Sequence, residues 1–226
     1  MIRPSHLKPA GDVFNRESIS DLLFERVQML PLQLGQQQFE KLLDYLALLH
    51  KWNSVYNLTA VREPEAMVTQ HLLDSLAVVP AFHGAKNVLD VGSGGGLPGI
   101  VLALALPEMH ISLIDTVQKK TAFLSQVKAE LKLSNVSVHT GRVESLRDVE
   151  LFDVITSRAF ASLVDMVNLS GHLVAPGGQF IAMKGMVPQD EIEELPDEWV
   201  VKEIRAIKVP GMKAERHLVF IQRNEV

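Results

Sequence analysis

Hydrophobic residues recur at helical spacing through the first 80 residues of the chain. One apolar stripe predicts a helix over 18–30, and a second stripe predicts a helix over 36–52. A third helix is expected after Pro64, because proline is favoured in the first turn of a helix. Residues 1–17 are polar and contain two prolines and a glycine, which predicts a mobile tail. Residues 18–80 are therefore expected to form a helical region packed on the remainder of the chain.

From residue 81 onward, short apolar runs alternate with amphipathic segments. The runs are typical of buried strands, and they lie at 87–91, 110–114, 136–139, 152–156, 179–183, 200–209 and 217–222. Helices are expected between the strands, at 98–106, 118–133 and 163–174. This alternation predicts an α/β core over 81–226 with a doubly wound, mostly parallel, seven-stranded sheet. Only a loop joins the last two strands, so one of them should run antiparallel.

The composition excludes several kinds of protein. No apolar run reaches the ~18 residues of a membrane helix, and no apolar signal core follows the N-terminus, so we expect neither a membrane span nor secretion. The chain has no cysteine, which excludes disulfides, thiolate metal sites and cysteine nucleophiles and fits a cytoplasmic protein. We expect a monomer without a metal site. The net charge is −5, so any nucleic-acid site has to be a local basic patch.

A glycine-rich segment separates the first predicted strand of the core from the helix behind it. The segment reads Asp90-Val91-Gly92-Ser93-Gly94-Gly95-Gly96-Leu97-Pro98-Gly99. It fits the dinucleotide fingerprint poorly, because the third glycine counted from Gly92 would fall on Leu97. Its spacing is similar to the first motif of S-adenosylmethionine-dependent methyltransferases, in which Asp90 suits a ligand with an ammonium group. The predicted cofactor residues of this loop are Asp90, Gly92, Gly94 and Gly96, and a tight turn without a ligand is the alternative.

Other candidate residues follow the later strands, where ligands of open α/β sheets bind. Asp115 could accept hydrogen bonds from ribose hydroxyls, or it could cap the next helix. In such folds a backbone amide and a carboxylate commonly hold adenine at the position of Val143 and Glu144, although Glu144 could be a solvated charge. Arg158 could bind the cofactor carboxylate or a substrate phosphate, or it could form a structural ion pair.

The residues also limit which atom accepts a methyl group. Methylation at pyrimidine carbon 5 uses a cysteine nucleophile, and the chain has none. Methylation of an exocyclic amine often uses an Asn/Asp-Pro-Pro-Tyr/Phe motif, but the corresponding segment reads Ser157-Arg158-Ala159-Phe160. Guanine N7 carries a lone pair and needs only to be positioned for attack. These arguments permit guanine N7 as the acceptor without selecting it.

Several short motifs together resemble one known family. They are Lys51-Trp52-Asn53, Tyr56-Asn57-Leu58-Thr59, His71-x-x-Asp74-Ser75, the glycine-rich segment, Ser157-Arg158-Ala159-Phe160-Ala161, Lys184-Gly185 and Glu215-Arg216-His217-Leu218-Val219. The chain resembles the glucose-inhibited division protein B family, which methylates guanine N7 in bacterial small-subunit (16S) ribosomal RNA. The resemblance implies a class I, Rossmann-like methyltransferase fold, S-adenosylmethionine as cofactor, and small-subunit RNA or its particle as partner.

The resemblance also assigns roles to individual residues. It implies cofactor contacts for Gly92, Leu97, Val143, Glu144 and Arg158. It places Lys119, Arg158, Lys184 and Arg216 near the RNA. It identifies no catalytic side chain. Taken without the resemblance, the residues also allow a methyltransferase for small molecules or proteins, or a non-catalytic module that binds the cofactor or the ribosome.

Overall fold

The computed structural model describes residues 13–158, 160 and 162–224. Most of the predicted tail, and the motif residues Ala159 and Ala161, therefore lie outside the described residues. The first helix, α1 (Arg16–Val27), begins two residues earlier than expected. The Asn15 side chain accepts a hydrogen bond from the backbone N–H of Ser18, at 3.2 Å. This N-cap satisfies a donor that the first helical turn would otherwise leave free, which explains the earlier start.

Two more helical segments complete the N-terminal region. The second helix is α2 (Gln36–Tyr56). The third segment consists of α3 (Pro64–Met67), a π-helical turn (Val68–Leu73) and α4 (Asp74–Leu76). In a π-helical turn the N–H groups bond five residues back instead of four, and such turns are frequent at functional sites. No helix in the described part of the chain is long and apolar enough to cross a membrane.

The remaining elements form one sheet with helices on both faces. The strands are β1 (Asn87–Val91), β2 (His110–Asp115), β3 (Val136–Thr140), β4 (Phe152–Ser157), β5 (Val174–Lys184), β6 (Trp199–Ala206) and β7 (His217–Arg223). The helices are α5 (Gly99–Ala105), α6 (Gln118–Glu130), α7 (Leu163–Ser170) and α8 (Gln189–Glu193). The strand order is β3-β2-β1-β4-β5-β7-β6, and β7 runs antiparallel to both of its neighbours, β5 and β6. The predicted seven-stranded, mostly parallel sheet and its antiparallel strand are confirmed.

Each face of the sheet has its own hydrophobic core. On one face the N-terminal helices share a core with α5 and α6, and Leu46 and Phe123 are fully buried there. On the other face Met166 of α7 and Trp199 of β6 lie in a second core. Burial of a side chain of this size contributes about 1.5–3 kcal/mol. The N-terminal helices therefore stabilise the sheet directly.

The strand β5 begins earlier than predicted. The strand was predicted over 179–183, but β5 also includes the segment Pro176-Gly177-Gly178. Gly177 has a φ of +75°, and the pairing of β4 with β5 shifts register between Phe152 and Val154. These features mark an irregularity in the ladder, because β5 advances from 174 to 179 while β4 advances only from 152 to 154. The local sequence resembles a turn because this irregularity needs the same backbone freedom.

Candidate functional site

The glycine loop turns sharply at the carboxyl end of β1 and borders a cavity. Gly92 and Gly94 have φ values of +69° and +56°, in the left-handed region that favours glycine. A Cβ atom built on Gly92 would meet nothing within 4 Å. The open space belongs to a cavity of about 390 Å³, which we call the glycine-loop cavity. Among the predicted cofactor residues, its wall contains Gly92, Asp115, Val143 and Glu144.

The later glycines of the motif have a different role. A Cβ atom on Gly96 would lie 2.5 Å from Cγ1 of Ile100 and 2.9 Å from Cδ2 of Leu124. A Cβ atom on Gly99 would overlap the Leu113 side chain of β2. These glycines therefore allow the loop and α5 to pack closely against the sheet and α6. Gly96 was among the predicted cofactor residues and Gly99 was not, and in the structure the lack of a side chain at both positions permits close packing.

Helix α2 supports the glycine loop from below. The buried hydroxyl of Tyr45 donates a hydrogen bond to the carbonyl oxygen of Gly95, at 2.6 Å. Leu49 lies against the same glycine, because a Cβ atom there would approach its side chain to 3.1 Å. Leu97, a predicted cofactor contact, is buried in the core that the loop shares with this helix, outside the wall of the glycine-loop cavity.

Asp115 accepts backbone hydrogen bonds both in the glycine loop and just before α6, but it does not cap that helix. Its Oδ1 accepts a hydrogen bond from the backbone N–H of Val117, at 2.9 Å, beside the start of α6. Its Oδ2 accepts one from the backbone N–H of Gly94, at 3.0 Å, and thereby holds the glycine loop. The ammonium group of Lys120 lies 3.4 Å from the same oxygen. The carboxylate is also part of the cavity wall, so it can bind a ligand while it fixes the loop.

A lysine that the sequence analysis did not assign lies at the glycine-loop cavity. Lys120 is part of its wall beside Asp115, whereas Lys119, which the family resemblance places near the RNA, is exposed on α6 outside this wall. Phe160, just beyond β4, forms another part of the wall that sequence reasoning did not assign. Which of two adjacent lysines faces the cavity depends on how the helix packs against the sheet. The sequence of the two lysines does not reveal this.

A second cavity of about 350 Å³ lies at the ends of β4, β5 and β7, and we call it the arginine cavity. It brings together three predicted basic residues, namely Arg158, Lys184 and Arg216. Arg158 follows β4, Lys184 ends β5, and Arg216 directly precedes β7. Gln70, His71 and Asp74 from the third helical segment complete the opposite wall. Strand ends that are far apart in sequence thus form one basic site.

Two of these cations share a carboxylate that the sequence analysis did not assign. Asp74 is 1 % exposed, and its Oδ1 accepts a hydrogen bond from Nε of Arg216, at 2.7 Å. Its Oδ2 lies 3.5 Å from Nη1 of Arg158, so the ion pair considered for this arginine is present. The third cation, Lys184, pairs with Glu191 at 2.8 Å.

His71 is a buried neutral side chain at the edge of the arginine cavity. Burial, together with the nearby charge of Arg158, lowers the pKa of the imidazole to about 4. Its Nε2 lies 2.9 Å from the Thr59 hydroxyl oxygen. Near neutral pH this histidine therefore carries no charge, and the net positive charge of the cavity comes from the two arginines, because Lys184 pairs with Glu191.

Asp90 lies beneath the glycine loop rather than in either cavity wall. It is 0 % exposed, and its Oδ2 accepts a hydrogen bond from the backbone N–H of Gly99, at 2.9 Å. Among the described residues, its Oδ1 has no hydrogen-bond partner. Burial raises the pKa of this carboxyl group to about 7, although the bond from Gly99 opposes the shift. Asp90 was predicted to suit a ligand with an ammonium group, but in the structure its carboxyl group is buried away from the walls of both cavities.

The raised pKa of Asp90 predicts a pH-dependent stability. The folded protein holds the carboxyl proton of Asp90 more tightly than the unfolded chain, whose aspartates titrate near 3.8. The contribution of this proton to the free energy of unfolding is therefore complete below pH 3.8. It is lost as the pH rises from about 4 to about 7, with a slope of up to ~1.4 kcal/mol per pH unit. We expect the free energy of unfolding of the protein, minus that of Asp90→Asn, to fall over this range. Chemical denaturation of both proteins at several pH values measures this difference. A difference that stays constant with pH would contradict the raised pKa of Asp90.

Comparison with known sequences places the chain in a family. A family model described as rRNA small subunit methyltransferase G matches residues 38–219. The Ribosomal RNA small subunit methyltransferase G of Herminiimonas arsenicoxydans is 64 % identical over 214 residues, which cover 93 % of this chain and 98 % of the relative. The protein of the same name from Burkholderia thailandensis is 56 % identical over 220 residues, covering 94 % and 95 %. The predicted resemblance to the glucose-inhibited division protein B family is confirmed.

Solved structures agree with the fold. The N-methyltransferase NodS from Bradyrhizobium japonicum WM9, in complex with S-adenosyl-L-homocysteine, aligns with a TM-score of 0.55 at 16 % identity, covering 78 % of this chain and 100 % of that one. The O-methyltransferase TomG from Streptomyces achromogenes, in complex with SAM, aligns with a TM-score of 0.56 at 15 % identity, covering 94 % and 100 %. The predicted class I methyltransferase fold is confirmed. Together with the family match, these findings show that the chain belongs to the rRNA small subunit methyltransferase G family.

Proposed function

We propose that the chain transfers the methyl group of S-adenosylmethionine to N7 of a guanine in small-subunit (16S) ribosomal RNA, acting as a monomer in the cytoplasm. As a member of its family, the chain is a methyltransferase. The observation that carries the proposal is the pairing of two cavities at the carboxyl edge of the sheet. The segment after β4 contributes Phe160 to the glycine-loop cavity and Arg158 to the arginine cavity.

The glycine-loop cavity fits the cofactor. The space left open at Gly92 allows a ligand to approach the backbone closely. The carboxylates of Asp115 and Glu144 lie in the wall and can accept hydrogen bonds from ribose hydroxyls and from the adenine amino group. Val143 supplies an apolar surface for a flat base. Bound S-adenosylmethionine supplies a methyl group on a positively charged sulfur.

The arginine cavity fits the RNA. Arginine and lysine are the residues that most often hold phosphate groups, which position a nucleic acid without reading its sequence. Three of them lie in this cavity although the chain carries a net charge of −5. The basic character is therefore concentrated where the RNA has to bind. Lys119, exposed on α6, adds a positive charge that a longer RNA segment can reach.

The acceptor atom determines what the side chains have to do. Guanine N7 has a lone pair and no proton near neutral pH, so the protein needs only to bind and align the base. Positive charge develops on the purine during transfer, and a cation beside the base would oppose this change. Arg158, Lys184 and Arg216 should therefore contact phosphates or the cofactor carboxylate instead of the base. No side chain is proposed as a general base.

The absence of a general base predicts a flat pH profile. At saturating RNA and cofactor, we expect kcat to change by less than about threefold between pH 6 and pH 8.5, because no side chain has to lose a proton. Single-turnover rates with labelled cofactor measure this dependence. A limb near neutral pH that disappears when His217 is replaced would point instead to an exocyclic amine or a hydroxyl acceptor.

Analysis of the RNA product tests the function itself. Nucleosides of small-subunit RNA from cells that lack the protein should have lost one 7-methylguanosine by mass spectrometry, and the intact gene should restore it. The purified protein should methylate that RNA, either free or assembled in the small-subunit particle. If the deletion leaves every 7-methylguanosine in place, the proposal is wrong. Transfer of label to a small molecule or a protein instead would favour the corresponding alternative.

A further inference from the structure

The π-helical turn before α4 brings a backbone carbonyl to the arginine cavity. The backbone N–H of Asp74 donates to the carbonyls of Thr69 and His71 rather than to that of Gln70, four residues back. The Gln70 carbonyl oxygen accepts a hydrogen bond from Nη1 of Arg158, at 3.1 Å. The same turn sets the direction of Asp74, the first residue of α4. One irregular turn thus presents a carbonyl and a carboxylate to the cations of the cavity.

The charges around Asp74 do not balance. One buried carboxylate lies between two guanidinium groups, so this cluster retains one positive charge. Lys184 does not add to this surplus, because Glu191 pairs with it. The bond between Nε of Arg216 and Asp74 fixes the plane of that guanidinium, and Nη1 of Arg216 also donates to the Glu215 carbonyl, at 2.9 Å. A fixed, positively charged pair of planar donors is complementary to a phosphate group.

We propose that Asp74 is a positioning residue that holds Arg216 and Arg158 in place to bind one phosphate of the RNA backbone. This inference rests on the proposed function. Asp74 itself is buried and does not need to touch the RNA, since it acts through the two arginines. A carboxylate near a phosphate is unfavourable in isolation, but here two cations lie against it. Its negative charge therefore orients the donors while the cluster as a whole still attracts an anion.

A double-mutant cycle tests whether Asp74 acts through Arg216. We expect Asp74→Asn to raise the KM for RNA about tenfold while kcat changes less than threefold. The slope of log KM against log salt should fall by about 0.7, the contribution of one phosphate contact to a single strand. In the Arg216→Gln background, the same Asp74 substitution should raise KM by a clearly smaller factor, about threefold, because one of the two arginines that it positions is already missing. Ser75→Ala is the control, since Ser75 is the buried neighbour of Asp74 and its hydroxyl has no hydrogen-bond partner among the described residues.

The outcomes separate this inference from the proposed function. If the unchanged protein does not methylate RNA at all, the proposed function is wrong. If it does methylate RNA, but each substitution raises KM by the same factor whether or not the other is present, the positioning role of Asp74 is wrong and the proposed function stands. A selective loss of affinity for S-adenosylhomocysteine in Asp74→Asn would also overturn the positioning role, because the arginines would then serve the cofactor carboxylate.

A second variant keeps the test decisive if Asp74→Asn does not fold. Arg216→Lys retains the charge but lacks the planar fork that Asp74 orients. We expect its KM for RNA to rise nearly as much as that of Arg216→Gln. A KM equal to that of the unchanged protein would mean that any positive charge is sufficient, and positioning by Asp74 would be excluded.

Discussion

Gly92→Val should abolish measurable cofactor binding while the chain still folds. The side chain would enter the open space of the glycine-loop cavity, where nothing lies within 4 Å of the added Cβ atom. Valine is also strained at a φ of +69°, at a cost on the order of 1–3 kcal/mol. We expect the affinity for S-adenosylhomocysteine in titration calorimetry to fall at least 100-fold, which corresponds to about 2.7 kcal/mol.

Gly84→Val separates the loss of space from the backbone strain. Gly84 has a φ of +92° and open space around an added Cβ atom, but it lies in the turn before β1, at the opposite end of this strand. Both variants should therefore lose similar unfolding free energy. Only the substitution at Gly92 should impair binding, and normal binding by Gly92→Val would refute the assignment of the cavity.

Gly99→Val should prevent folding, although the residue belongs to the same motif. The new side chain would overlap Leu113 and would place its Cβ atom 2.7 Å from Oδ2 of Asp90. Both neighbours are buried, and the backbone of α5 lies directly on the sheet. We expect a loss of more than about 4 kcal/mol of unfolding free energy, the range reserved for severe packing defects.

Ala105→Val in the same helix is the matched control for this loss. It introduces the same branched side chain at a position that is only partly buried. Thermal unfolding should place this variant close to the unchanged protein, whereas Gly99→Val should be found in the insoluble fraction. A soluble, cooperatively unfolding Gly99→Val would show that helix and sheet are not in such close contact.

The strands were predictable because each is a short apolar run between polar residues. The predicted limits of β1, 87–91, are those of the structure. The spacing of glycines also identified the glycine loop, and the position after the fourth strand identified Arg158, whereas Lys184 and Arg216 were assigned by the family resemblance. The sequence could not predict which glycines border the cavity and which permit close packing, because this depends on which atoms of α6 and β2 lie beneath the loop.

The ion cluster of the arginine cavity shows why other parts of the site could not be read from the sequence. Asp74 is separated by 84 positions from Arg158 and by 142 positions from Arg216. No spacing rule connects residues so far apart, and a π-helical turn has no local sequence signature that hydrophobic periodicity would reveal. The same limit applies to Lys120, because helical periodicity does not say which of two adjacent lysines faces the neighbouring strand. The cofactor and RNA contacts assigned to individual residues stay predictions until the variants are measured.

The hydrogen bond from Tyr45 to Gly95 has a consequence for protein engineering. A chimera that exchanged the first two helices for those of another methyltransferase would remove both this bond and the contact with Leu49. The α/β core would then keep the sequence of the glycine loop but lose the helix that holds the loop in its conformation. Helix α2 and the glycine loop are thus expected to open and close as one cooperative unit in hydrogen exchange. Successful grafts should transfer the helix and the loop together.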